Sequence, residues 1–157
     1  MAEIRAILVP LDGSELAARA LPYAESLARA LHARLVLVRV TPSLEHVVAR
    51  TAATDPSGGA VFVDMTPLWE KDRAEARAYL EAAAAELRGR GIDADARHAE
   101  GDAAAEIQRL ARELPADLVV MSTRGQGGLK RLVLGSVADA VVRGAVAPVL
   151  LLPAKPD

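Results

Sequence analysis

A glycine-rich segment with basic residues follows a predicted strand, and its residue types suit the binding of phosphate. An apolar run ends at Met121, and Arg124 and Gly125 come shortly after it. The segment ends at Gly135 and Ser136, where an amphipathic helical pattern begins. Glycines let a backbone approach a ligand closely, and a helix N-terminus attracts anions. The alternative is an ordinary strand–helix connection with Ser136 as its N-cap, and the loop alone leaves both interpretations open.

Asp12 is a second candidate for ligand binding, because it follows the apolar run of residues 4–11. In open α/β sheets, ligands bind beyond the carboxyl ends of strands at the point where the winding direction reverses. The strand order 3-2-1-4-5 would bring Asp12 opposite Ser136, whereas the flavodoxin-like order 2-1-3-4-5 would separate them. The hydrophobic pattern leaves both orders open. A turn role for Asp12, ahead of Ser14 as a helix N-cap, is the alternative.

Strand and helix patterns alternate along the chain and predict a single doubly wound open α/β sheet of five parallel strands, with helices on both faces. The predicted strands cover residues 4–11, 34–41, 92–99, 117–122 and 149–152. Alternating apolar and polar residues make the third strand typical of a sheet edge. Pro22 lies inside the first helical pattern and predicts a kink or a late start of that helix.

Residues 42–66 are predicted to form an irregular connection, because they contain a strong loop signal at residues 55–59. A connection of this length is usually a lid, a partner surface or disordered, and the sequence does not choose among these. Residues 61–63 are expected to pack back onto the domain as a short extended piece. The helical pattern returns at Pro67.

Length and composition narrow the functional classes. A chain of 157 residues predicts one domain over residues 1–157, and its lack of cysteine excludes disulfide and thiol chemistry. A net charge of −2 is not typical of a nucleic-acid-binding protein. We find neither a signal-peptide pattern nor an apolar run long enough for a membrane span, so we expect a cytoplasmic protein without membrane or nucleic-acid partners. The histidines lack metal-ligand spacing and are expected at the surface: His32, His46 and His98.

The C-terminal third of the chain resembles the universal stress protein family. The matching features are Gly125, a spacer of nine residues, then Gly135 and Ser136, followed by VADAVVRGAVAPVLLLP. The opening stretch ILVPLDGSELAARAL is similar to the first strand and helix of the family. The resemblance therefore covers essentially the whole chain except residues 42–66. Ser122 departs from the pattern, because the ATP-binding members of the family carry a glycine at that position.

This resemblance implies the strand order 3-2-1-4-5 and an ATP site across the two loops at the reversal. Asp12 would lie at the adenosine end of the ligand, the backbone of Val40 at the adenine, and Ser122 near the ribose. A helix N-terminus and glycines would hold the phosphates. The implied nucleotide-binding residues are Pro10, Asp12, Val40, Ser122, Arg124, Gly125, Gly135, Ser136 and Val137.

The resemblance also implies a regulatory or stress-response module, in which ATP, ADP or cyclic AMP biases conformation or assembly. Mg²⁺ would bind through the phosphates, with no protein ligand assigned. A homodimer is implied through the apolar terminal strand at residues 149–152. The chain has no Walker A lysine motif, nucleophile elbow or kinase signature, and no catalytic residue is assigned. A nucleotide-free dimeric scaffold and a slow Mg²⁺-dependent ATPase stay open as alternatives.

Overall fold

A computed structural model describes residues 3–52, 63–123 and 134–153. Its strands are β1 (Ala6–Pro10), β2 (Arg34–Thr41), β3 (Ala94–Glu100), β4 (Leu118–Ser122) and β5 (Val149–Leu152). Its helices are α1 (Glu15–Ala18), α2 (Ala20–Leu31), α3 (Leu44–Ala52), α4 (Thr66–Gly89), α5 (Ala103–Glu113) and α6 (Ser136–Arg143). The five strands are parallel and form one sheet in the order β3-β2-β1-β4-β5. This result confirms the strand order that the family resemblance implied.

Helices cover both faces of the sheet, and each face has its own hydrophobic core. One core packs α2 and α4 against the sheet and includes the fully buried Ile7, Leu37 and Leu80. The other packs α5 and α6 against the opposite face, around Leu8 and Val36. Successive residues of a strand point to opposite faces, so β1 contributes to both cores and is buried along its whole length. The doubly wound architecture predicted from the apolar runs is thereby confirmed.

The first helical pattern is divided into two helices. α1 ends at Ala18 and α2 begins at Ala20, so Pro22 lies in the first turn of α2. A proline is tolerated there because the N–H groups of a first helical turn have no intrahelical acceptor. Ser14 is the N-cap of α1 and accepts a hydrogen bond from the backbone N–H of Ala17 at 3.1 Å. The Ser14 cap is confirmed, and the break at Arg19, with α2 starting just before Pro22, confirms the expected kink or late start.

The connection predicted to be irregular contains the helix α3, so the prediction is wrong over that stretch. The helix is only nine residues long, and the strong turn signal at residues 55–59 led to a loop prediction for the whole stretch. Ser43 precedes it and accepts a hydrogen bond from the N–H of His46 at 3.4 Å. Residues 53–62, with most of the expected extended piece, lie outside the described residues. Val63, the last residue of that piece, is exposed.

The two edges of the sheet are β3 and β5. The position of β3 confirms the edge predicted from its alternating pattern. β5 pairs with β4 on one side and keeps Leu150 37% exposed. Among the helices within the described ranges, none combines the length and the apolar character needed to cross a membrane.

Candidate functional site

A cavity opens at the carboxyl ends of β1 and β4. These two strands pair only through Ile7 with Leu118 and Leu8 with Val119, so their last residues do not pair with each other. Beyond that point the two strands enclose a cavity of about 170 Å³. It lies at the reversal of the winding direction, which is where open α/β sheets bind ligands.

The cavity brings together residues that are far apart in the sequence. Its lining includes seven of the residues predicted to bind nucleotide: Pro10, Asp12, Val40, Ser122, Gly135, Ser136 and Val137. The loop at Asp12 and the helix start at Ser136 therefore line one cavity, as the strand order requires. Arg124 and Gly125, the other two predicted residues, lie outside the described residues.

Sequence reasoning missed the apolar part of the lining. These residues are Leu11, Ala17, Val38, Ala103, Ile107, Met121 and Ala138. Ala103 and Ile107 are four residues apart and therefore share one face of α5. That spacing was visible in the sequence, but only the three-dimensional packing shows that this face of α5 reaches the cavity. Apolar walls with a few polar groups at the rim are typical of sites for small organic ligands.

The loop between β1 and α1 forms one rim of the cavity and has a defined backbone. The N–H of Leu11 donates to the carbonyl of Val38 at 2.7 Å, which continues the pairing of β1 with β2. Asp12 Oδ1 accepts a hydrogen bond from the N–H of Ser14 at 2.9 Å. Gly13 has a φ of 85°, in the left-handed region that glycine tolerates best. Asp12 is thus part of an Asx turn and also lines the cavity.

The N-terminus of α6 forms the facing rim. Gly135 is the N-cap and Ser136 is the first helical residue, so the interpretation of Ser136 as the N-cap is wrong. The first-turn N–H groups of a helix lack intrahelical acceptors and carry the positive end of its dipole. This end can therefore hold an anionic group of a ligand, with the hydroxyl of Ser136 beside it.

Ser122 places a buried hydroxyl group at the wall of the cavity. Its Oγ is buried and, within the described residues, has no hydrogen-bond partner. Ser122 ends β4 opposite Leu152 and lines the cavity. A buried hydroxyl without a partner is destabilising, and a polar group of a bound ligand would satisfy it.

His98 is half-buried rather than at the surface, so that expectation is wrong. Its Nε2 and Thr41 Oγ1 are hydrogen-bonded at 2.8 Å. Burial lowers the pKa of His98 below its usual value, and the charge of Arg77 lowers it further. Within the ranges that the structure describes, no three histidine, cysteine, aspartate or glutamate residues are grouped so that they could bind a metal ion.

The fold and the cavity define an open α/β protein with a ligand site at the reversal of its sheet. The universal stress protein family model matches residues 3–153, and the chain belongs to this family. The chain is 33% identical to universal stress protein YxiE of Bacillus subtilis, with 93% of this chain and 97% of that protein covered. The chain is also 35% identical to a protein of the universal stress protein family from Burkholderia pseudomallei whose crystal structure is known. The two structures match with a TM-score of 0.71, and the match covers 98% of this chain and 99% of that one.

Two further structures with the same fold contain nucleotides. One is a universal stress protein in complex with cAMP, and the other is the universal stress protein from Archaeoglobus fulgidus in complex with dAMP. Each is 23% identical to this chain with a TM-score of 0.64, and the match covers 96% of this chain and 98% of the other. At this identity the similarity shows the fold, and the nucleotides are properties of those two structures.

Proposed function

We propose that this protein is a single-domain regulatory module over residues 1–157 that binds an adenine nucleotide between β1 and β4. The observation that carries the proposal is the cavity shared by Asp12 and the α6 N-terminus at Ser136. Two structures with this fold, one in complex with cAMP and one with dAMP, support adenine nucleotides as the ligand class. ATP is the ligand we propose, with ADP and cyclic AMP as the competitors.

The lining suggests how the parts of a nucleotide are held. The apolar wall that includes Val38 and Ile107 suits the flat adenine, and the backbone of Val40 supplies its hydrogen bonds. Asp12 accepts from the hydroxyls of the adenosine end, and Ser122 donates near the ribose.

The phosphates bind at the start of α6, where backbone N–H groups and the helix dipole favour negative charge. The residues we assign to them are Arg124, Gly125, Gly135, Ser136 and Val137. Mg²⁺ binds through the phosphates in this proposal.

Nucleotide binding can bias the protein only if one conformation or assembly binds the nucleotide more tightly than another. A homodimer through β5 is the assembly we propose, because β5 is a sheet edge with an exposed Leu150. Sedimentation at micromolar concentration should give a dimer mass, and Leu150→Lys should give a monomer. A monomeric wild-type protein would contradict this part of the proposal.

We also propose that the protein is located in the cytoplasm. Cell fractionation should recover it in the cytoplasmic fraction.

The nucleotide proposal is tested by mass spectrometry of ligand released from the denatured protein and by calorimetric titration. We expect adenine nucleotide in the released fraction, and ATP binding about tenfold weaker in Ser136→Ala because a hydrogen bond to a charged phosphate is lost. Ser26→Ala is the matched control, because the Ser26 hydroxyl also makes a hydrogen bond but does not line the cavity. It donates to the carbonyl of Pro22 at 2.9 Å, within α2. The control variant should bind ATP like the wild type.

Two other results would favour the alternative functions. Absence of both released nucleotide and heat of binding, in a protein that is still a dimer, would favour the nucleotide-free scaffold. Steady-state phosphate release that is lost in Gly125→Ala/Ser136→Ala would favour the slow ATPase.

A further inference from the structure

Arg39 packs its guanidinium group against the β1–α1 loop. A Cβ atom placed on Gly13 would lie 3.0 Å from Nη1, 3.1 Å from Cζ and 3.3 Å from Nη2 of Arg39. Because these three distances are nearly equal, the flat face of the guanidinium covers the side of Gly13 where any other residue would carry its side chain. Arg39 therefore limits how far this loop can move on that side.

The same guanidinium contacts helix α4. Arg39 Cζ lies 5.5 Å from the centre of the Tyr79 ring, within the range of a cation–π interaction. Burial raises the pKa of the Tyr79 phenol, while the charge of Arg39 acts to lower it and that of Asp12 to raise it. The charges of Asp12 and Arg39 thus both reach Tyr79.

The position of Arg39 connects this contact to the cavity. Its neighbours in β2, Val38 and Val40, both line the cavity. Gly13, which Arg39 covers, directly follows Asp12 and lies inside the Asx turn that Asp12 forms with Ser14. A contact that holds Gly13 in place therefore also holds the carboxylate of Asp12.

We propose that Arg39, supported by Tyr79, is a positioning residue that fixes Asp12 in its ligand-binding place before the ligand arrives. This inference rests on the proposed function, because it concerns affinity for the same adenine nucleotide. Arg39 acts through Asp12 and not by touching the phosphates. A loop that is already ordered lets the ligand bind without the entropy loss of ordering it.

The chain offers a matched control on the same helix. Arg73 Cζ lies 4.3 Å from the centre of the Trp69 ring, and Arg73 Nε lies 2.6 Å from Glu100 Oε1. Arg73 and Trp69 make the same kind of cation–π contact as Arg39 and Tyr79, but neither of them lines the cavity described above. Arg73→Ala should therefore lower the thermal unfolding midpoint without changing nucleotide affinity.

The contact itself is tested without any ligand, by hydrogen exchange of the peptide covering residues 11–18. Arg39→Ala should speed this exchange about tenfold, because the loop opens locally more often. Arg39→Lys should speed it by a smaller factor, since the lysine keeps the charge but not the flat contact. Arg73→Ala should leave it unchanged. Wild-type exchange rates in Arg39→Ala would overturn the proposal.

The effect on binding is tested by titration of a double-mutant cycle. Arg39→Ala should weaken AMP and ATP binding by a similar factor of about ten, and Tyr79→Phe should keep most of the affinity. In the Asp12→Ala background, Arg39→Ala should change affinity by less than about twofold, because its effect passes through Asp12. A full tenfold effect in that background, or a loss confined to ATP, would overturn the proposal and indicate direct contact with the phosphates.

Failure of the two proposals can be told apart. If wild-type protein binds no adenine nucleotide but Arg39→Ala still speeds exchange at residues 11–18, the positioning contact stands and the nucleotide proposal falls. If nucleotide binds and neither exchange nor affinity responds to Arg39→Ala, the nucleotide proposal stands and the role of Arg39 falls.

Discussion

An aspartate lies at each end of the β1–β4 strand pair, and the two have opposite surroundings. At the amino end, Asp117 Oδ2 accepts hydrogen bonds from the N–H groups of Arg5 at 2.8 Å and Ala6 at 3.0 Å. At the carboxyl end, Asp12 accepts from the N–H of Ser14 at 2.9 Å and lines the cavity. The Asp117 carboxylate connects the start of β4 to the start of β1. The Asp12 carboxylate lies beyond the point where these two strands stop pairing. Stability and ligand binding are thus assigned to opposite ends of one strand pair.

Removal of Asp117 should give the largest effect on stability. Asp117→Ala leaves two backbone N–H groups without their charged acceptor, so the free energy of unfolding should fall by about 2 kcal/mol in urea denaturation. Asp117→Asn keeps an acceptor oxygen and should lose less. Nucleotide affinity of the folded protein should not change in either variant. A fall below about 0.5 kcal/mol in Asp117→Ala would contradict the role of this contact.

Removal of Asp12 should give the opposite result. Asp12→Ala should weaken adenine nucleotide binding about tenfold, or about 1.4 kcal/mol, and change the unfolding free energy by less than that. Asp64→Ala is the matched control, because Asp64 Oδ1 accepts from the N–H of Thr66 at 3.0 Å in the same kind of turn. Calorimetry should show wild-type affinity in Asp64→Ala. Equal weakening in both variants would mean that the effect is not specific to the carboxylate in the cavity.

The contact between helices α5 and α6 offers a smaller test. A Cβ on Gly144 would lie 2.4 Å from Nε2 of Gln108, which donates to the carbonyl of Ala140 at 2.9 Å. Gly144→Ala should displace that flexible side chain and lower the unfolding free energy by about 1 kcal/mol through the lost hydrogen bond between α5 and α6. In a Gln108→Ala background the same change should have little effect. Additive losses in the double variant would contradict this explanation.

The smallest expected effect is the pH dependence of stability from His98, at the carboxyl end of β3. Burial and the charges of Arg77, Arg73 and Arg39 lower its pKa, with Glu100 acting in the opposite sense. The unfolded chain therefore takes up the proton at a higher pH than the folded protein does. The stability that His98 contributes is full above about pH 6.5 and is lost as the pH falls through its lowered folded pKa.

Urea denaturation at pH 7 and pH 5 tests this sign. His98→Asn should lose less stability than the wild type over this interval, because asparagine does not titrate. If His98→Asn loses as much stability as the wild type between pH 7 and pH 5, His98 does not contribute to the pH dependence of stability.

The strands could be predicted from the sequence because β-branched and apolar runs bounded by turn residues have few other interpretations. β2 and β5 have the predicted bounds, whereas β1, β3 and β4 differ by one to two residues at one or both ends. The strand order could not be predicted from that pattern, since runs such as β1 are buried on both faces and fit either order. The family resemblance supplied the order, through the Gly125, Gly135 and Ser136 pattern and the similarity of both ends of the chain.

The candidate site was predictable only in part. Polar and glycine residues of the two loops carried a recognisable signal, and the cavity lining includes Asp12, Ser122, Gly135 and Ser136 among them. The helical spacing of Ala103 and Ile107 was visible in the sequence, but their place in the cavity wall depends on how α5 crosses the sheet. The contact of Arg39 with Gly13 depends on the reach of a long side chain between separate elements. Sequence periodicity does not report such contacts.

The most direct measurement is a crystal structure of the protein determined in the presence of saturating ATP. Our account predicts nucleotide density between Asp12 and Ser136, with the phosphates at the first turn of α6. An empty cavity, or a nucleotide bound elsewhere on the protein, would contradict it.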